Sequence, residues 1–188
     1  DVTIAAADTS GKLTFDTITA IEATVTTGTI QDFKATSIDV QSFTFDGAAA
    51  TSSSNSANIA IGVITASAAV TISLGAGTGM VSVGGIMTTG ALTVDASNFE
   101  GSLVLPRMTG SGVTVSLGSN GYISSIGVDS AKTFTLDGSL AASSNVSLGA
   151  VDASTNITIS LGSGTGSLGA TNLSAGGLLV VDGGKSAR

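Results

Sequence analysis

The chain contains no histidine, no cysteine and no tryptophan, and its 188 residues include a single proline (Pro106) and a single tyrosine (Tyr122). Without His and Cys, the usual general bases and thiol nucleophiles are gone. The lack of Cys also excludes a disulfide scaffold. Charge is scarce: 10% of residues are charged, against roughly a quarter in ordinary soluble domains. Six basic residues against 13 acidic ones give a net charge of −7. That balance argues against a nucleic-acid groove, since neutralising phosphates takes clustered Lys and Arg, and against anionic membrane surfaces. A mean hydropathy of +0.51 argues against polyelectrolyte disorder.

What is there instead is Gly, Ala, Ser, Thr and aliphatics, arranged in phrases. Five short phrases end in aspartate: Leu13–Asp16, Phe43–Asp46, Leu92–Asp95, Phe134–Asp137 and Leu179–Asp182. A second phrase runs between them: Ile72–Gly75, Val115–Gly118, Val146–Gly149 and Ile159–Gly162. Leu74 precedes Asp95 by 21 residues, Leu117 precedes Asp137 by 20, and Leu161 precedes Asp182 by 21. Self-similarity at this period marks a stacked repeat architecture. Within Val70–Leu74, Val113–Leu117 and Ile157–Leu161, apolar residues alternate with hydroxyls, the period-two pattern of a strand with one dry face and one wet. Each run stops at Gly, and the following Gly-rich stretches (75–79, 118–121 and 162–166) read as tight corners.

These features predict an all-β chain, a parallel β-solenoid (β-helix) of roughly 21-residue coils. At ~4.8 Å per rung, about nine coils would make a rod near 40 Å long. The 43 or 44 residues separating Val70, Val113 and Ile157 fit two coils; one propeller blade fits them too, but blades usually carry aromatic and Trp-Asp signatures that this chain lacks. Residues 1–47 hold nine of the nineteen charged residues and read as less regular N-terminal coils; residues 48–188 read as the regular solenoid. Phe15, Phe43, Phe45 and Phe134 are expected to stack as an internal aromatic ladder. The uncharged stretch from Gly47 to Val94 imitates a membrane span, but its apolar positions alternate, so buried strands and no membrane insertion are expected. The start, Asp1–Ala5, shows no initiator Met or signal peptide, and Gly183–Arg188 offers no solenoid cap. The expectation is a segment of a longer chain.

Chemistry is thinly signalled. Acidic residues sit at turn positions, only Glu22 and Glu100 are glutamates, and no basic partner accompanies the many serines. No nucleotide-binding fingerprint is present, and no enzyme is expected. Calcium is the more serious candidate, because Asp95, Asp137 and Asp182 recur at one turn and hard oxygen ligands suit Ca²⁺. Against it, the Gly-Gly-x-Gly-x-Asp nonapeptide of calcium β-rolls is missing, and a spacing of two rungs, ~10 Å, is too long for a shared ion. The hydroxyl pairs Thr71/Ser73, Thr114/Ser116 and Thr158/Ser160 raise the possibility of an ice-ordering surface. Such a surface needs Thr at every rung, and Ser fills half of these places, so an ordinary solvated face is expected. Three glycosylation sequons, at Asn145, Asn156 and Asn172, fall within chance in so Ser- and Thr-rich a chain.

The runs of Thr-Val, Ser-Leu-Gly and Val-Asp-Gly, with the low-charge stretch Ile18–Gly28, resemble the repetitive solenoid regions of bacterial surface-layer proteins and of large type-I-secreted surface proteins. Gly101–Met108 looks like a linker of phage tail fibres, although the chain then returns to Thr109–Val113 in place of a fibre's polar continuation. The resemblance implies an extracellular, cell-surface structural protein that self-assembles into a homo-oligomeric or polymeric lattice or filament, with a cell-surface polysaccharide as a further candidate partner. An adhesin or tail-fibre shaft displaying a binding tip is the alternative.

Overall fold

The computed structural model describes residues 1–6, 11–28, 32–47, 58–118, 122–138, 145–162 and 167–183. The corners expected at 119–121 and 163–166 lie outside the described residues. Every regular element among the described residues is a strand: β1 (Val2–Ala6), β2 (Lys12–Thr27), β3 (Asp32–Asp46), β4 (Asn58–Ala66), β5 (Val70–Ser73), β6 (Met80–Thr88), β7 (Ala91–Ala96), β8 (Ser102–Leu117), β9 (Tyr122–Gly138), β10 (Val146–Leu161), β11 (Leu168–Ala175) and β12 (Leu179–Asp182). All pairings are parallel and link positions about one coil apart, so the chain winds as a β-solenoid.

The burial pattern explains the shape of a coil. In β3 the buried positions are Phe33, Ala35, Ile38, Val40, Phe43 and Phe45. The strict alternation skips twice, between Ala35 and Ile38 and between Val40 and Phe43. Two successive outward residues reverse the phase of a strand, and each reversal is a corner. A coil therefore has three faces, each contributing two inward side chains. Within the uncharged stretch from Gly47 to Val94, the described residues 58–94 follow the same rule, supplying β4, β5, β6 and part of β7. Among the described residues no helix is long and apolar enough to cross a membrane.

Stacking turns inward positions into columns. On the second face Ile18, Ile38, Ile64, Ile86, Met108, Val128, Val151 and Leu173 lie over one another. On the third face Ile4, Val25, Phe45, Ile72, Val94, Val115, Leu136, Ile159 and Val181 make nine rungs. At ~4.8 Å per step, that column is about 38 Å long. The steps are not uniform: 20 residues from Leu13 to Phe33, 26 from Phe33 to Ile59, then 22 from Ile59 to Val81 and again to Leu103. The same ladder continues through residue 47 on both sides of the long step.

The first corner is kept narrow by glycine. Gly62, Gly84 and Gly127 occupy equivalent positions, with Thr36 below them and Pro106 between. A Cβ on Gly62 would press into the Thr36 carbonyl oxygen, and one on Gly84 into the Gly62 carbonyl. Corner carbonyls thus sit directly above one another. At the second corner the inward column is small throughout (Ala20, Val40, Ala66, Thr88, Gly110, Ala131). The hydroxyl of the buried Thr88 donates to the Ala68 carbonyl, so this polar group is satisfied.

The aromatic ladder does not form. Phe43 and Phe134 share a column but are four rungs apart, with Val70, Leu92 and Val113 between. Phe15 belongs to the first face, opposite Ala35, because the phrase Leu13–Asp16 opens its coil while Ala23–Thr27 supplies that coil's third face. The aromatic contacts run across the interior of neighbouring coils instead, Phe15 to Phe33 at 5.9 Å and Phe33 to Phe45 at 5.5 Å between ring centroids.

Because each inward side chain is gripped by its equivalents above and below, truncating one mid-stack is costly. Ile64→Ala is expected to destabilise the fold by about 2–5 kcal/mol, lowering the thermal midpoint by roughly 5–15 °C. The adjacent exposed Thr65→Ala should shift it by less than about 2 °C. Thermal unfolding followed by circular dichroism checks both.

Candidate functional site: the hydroxyl and carboxylate ladder

The third face carries two outward columns with a simple composition. The first is threonine at eight consecutive rungs: Thr3, Thr24, Thr44, Thr71, Thr93, Thr114, Thr135 and Thr158, followed by Val180. The second lies two residues further along each strand. It reads Ala5, Thr26, Asp46, Ser73, Asp95, Ser116, Asp137, Ser160 and Asp182. From Asp46 onward, aspartate and serine alternate without exception.

Apart from Leu13–Asp16 and Val146–Gly149, which open their coils on the first face, the aspartate phrases and the hydroxyl phrases are therefore one structural unit on alternate coils. Asp95, Asp137 and Asp182 do fall in one column, joined there by Asp46. Asp16 does not; it sits at the first corner of its own coil. Asp95, Asp137 and Asp182 are exposed, and Asp46 is half-buried. Asp95 Oδ1 accepts the Ser97 N–H at 3.0 Å, an Asx turn. Successive aspartates stand about 9.6 Å apart, two rungs, with a serine between. No three acidic side chains converge among the described residues.

The Thr column corrects the reading of these hydroxyls as half Ser and half Thr. Serine belongs to the neighbouring column, and the rung-by-rung threonine is complete from Thr3 to Thr158. The signal was present in the sequence: Thr44, Thr93 and Thr135 each stand two places before the aspartate of their phrases, as Thr71, Thr114 and Thr158 stand two places before a serine. Aligning both kinds of phrase in one column makes the run visible.

Side-chain oxygens also bracket the coils at strand starts. The Asn58 N–H donates to Asp32 Oδ1 (3.4 Å) and the Met80 N–H to Asn58 Oδ1 (3.2 Å). Likewise the Ser167 N–H donates to Asn145 Oδ1 (3.2 Å) and the Leu178 N–H to Asn156 Oδ1 (3.0 Å). Two of the three sequon asparagines thus hold the next rung, and a glycan on either nitrogen would have to be accommodated beside that bond.

Elsewhere the surface has two shallow open grooves. One, of about 580 Å³, runs along Thr19, Asp39, Gln41, Thr65 and Ser67. The other, about 450 Å³, lies over the glycine corner between Lys34 and Ser82. Asp39 is the single carboxylate lining the first, and Lys34 the single charge lining the second. Paired-carboxylate hydrolysis needs two acids across a cleft, which neither groove brings together.

The alternation on the third face has an electrostatic cost attached to breaking it. At ~9.6 Å in water two carboxylates repel by only about 0.4 kcal/mol, against about 0.9 kcal/mol at ~4.8 Å and several times more at the lower effective dielectric of a protein surface. Ser116→Asp, which fills the gap between Asp95 and Asp137, should therefore destabilise by about 2 kcal/mol or more at low salt. The loss should shrink on adding 1 M NaCl or millimolar Ca²⁺, whereas Asp95→Asn should leave the midpoint nearly unchanged. Thermal melts across a salt series read all three. The chain matches no protein-family model, no curated protein and no solved structure, so its function rests on the geometry of these faces.

Proposed function

We propose that this chain is a structural segment of a self-assembling extracellular surface protein, a subunit of a surface lattice or filament. The observation that carries the reading is that the described chain is one continuous β-ladder whose first and second faces carry little charge. Outward positions on the first and second faces are mostly Ser, Thr, Ala and Gly, and the exposed large apolar residues Val63 (39%), at the first corner, and Met87 (44%), on the second face, lie on adjacent coils. Low-charge apolar spots on a rigid rod favour lateral association, and rungs with a free hydrogen-bonding edge favour further strand pairing. The inward columns supply stiffness and the outward faces supply contacts. Calcium enters this reading as a possible joint between rods through the aspartate column, with a cell-surface polysaccharide as the anchoring partner.

Electron microscopy of the purified protein, in calcium and then in chelator, tests the proposal. Ordered sheets or filaments are expected, and Val63→Lys combined with Met87→Lys should disperse them if the second face is the joint. Loss of order on chelation would place calcium at the contacts. Single dispersed rods under both conditions would overturn self-assembly and favour an adhesin or fibre shaft.

A further inference from the structure

We propose that the third face binds ice. Its Thr column repeats every ~4.8 Å along the rod, and the Ser/Asp column runs parallel to it, two residues or ~6.6 Å away along each strand. The result is a rectangular net of oxygens, close in its short side to the oxygen repeat along the a axis of hexagonal ice. Threonine suits the task because its branched Cβ restricts χ1. Neighbours stacked in register hold their methyl and hydroxyl groups at the same heights, so the hydroxyls present a fixed lattice of hydrogen-bonding positions and the methyls space them. Serine and aspartate in the second column extend the net with further oxygens.

Three observations mark this face. Its pairing from Thr24 to Asp182 runs without a register shift on any rung, whereas the irregularities of the β8–β9 and β9–β10 ladders fall on the first and second faces and at the corners. Its two columns hold no Lys or Arg. Among the described residues Lys12 and Lys34 project from the first face, Arg107, paired with Asp129, lies beyond the first corner, and Lys132 sits at the second corner, outside both columns. Composition differs too. The equivalent outward column of the first face reads Thr14, Lys34, Ala60, Ser82, Val104 and Ser125, with no residue type on two successive rungs. A regular hydroxyl column without cations, its neighbouring carboxylates confined to alternate rungs, fits a regular, uncharged partner, and a crystal of water is such a partner.

The test is thermal hysteresis and inhibition of ice recrystallisation by the intact chain, with Thr93→Tyr and Thr114→Tyr placed mid-face and Ser82→Tyr on the first face as control. Circular dichroism melts verify that each variant folds. Thr93→Val, which keeps the shape and removes the hydroxyl, covers the case in which a tyrosine variant does not fold. The native chain is expected to open a freezing gap with faceted crystals, the third-face tyrosines to abolish most of it, and Ser82→Tyr to leave it intact. No gap in the native chain overturns the proposal, and so does an equal loss from Ser82→Tyr. Sedimentation in the same buffer identifies a second copy as the face's occupant if the rods pair through it and the gap is absent. Lattice formation seen by microscopy is a separate readout, so either proposal can fail alone.

Discussion

Everything in this molecule depends on parallel, in-register stacking, which places each side chain directly above the equivalent side chain of the coil below. A spacing of ~4.8 Å is short enough that like must tolerate like. Apolar residues gain from it: the Ile18-to-Leu173 column is a stack of branched aliphatics with almost no exposure between its ends. Threonine tolerates it. At the first corner the constraint selects glycine, because carbonyls stack there and a Cβ has no room. The core is built from vertical columns more than from contacts within one coil.

Charge is where stacking is least forgiving, and it explains why the sequence repeats over two coils while the backbone repeats over one. Aspartate on every rung would line up carboxylates at ~4.8 Å with no water between them. Alternation with serine doubles that distance and keeps an oxygen at each rung. Asp129 and Asp152, by contrast, follow the paired valines Val128 and Val151 on consecutive coils, and there Arg107 reaches Asp129 from the rung on the other side. The same problem has two solutions, a neutral spacer on the third face and a counter-ion beyond the first corner.

The coil architecture was legible in the sequence because alternation and the ~21-residue phrase spacing are local signals that stacking preserves. The columns were less legible. Leu13–Asp16 imitates the later aspartate phrases but opens its coil on the first face, since the period there is 20 residues and then 26, and a strand phrase carries no mark of which face it serves. The aromatic ladder failed for the same reason. The oxygen brackets of Asp32, Asn58, Asn145 and Asn156 were hidden because a strand-start Asx is indistinguishable in sequence from a turn Asx.

Val180 gives the Thr column its meaning. It occupies the slot that Thr158 fills one rung earlier, with a side chain of the same shape and comparable preference for strands. The backbone therefore accepts either residue there, and folding alone does not require threonine. Solubility does not require it either: serine, asparagine or lysine would also wet the face, and the first face manages with Thr, Lys, Ala, Ser and Val. Eight successive hydroxyls with an identical stem, in the column where the register never slips, need a cause outside the fold. A partner that reads position as well as polarity supplies one, because every departure in side-chain shape would then break the match.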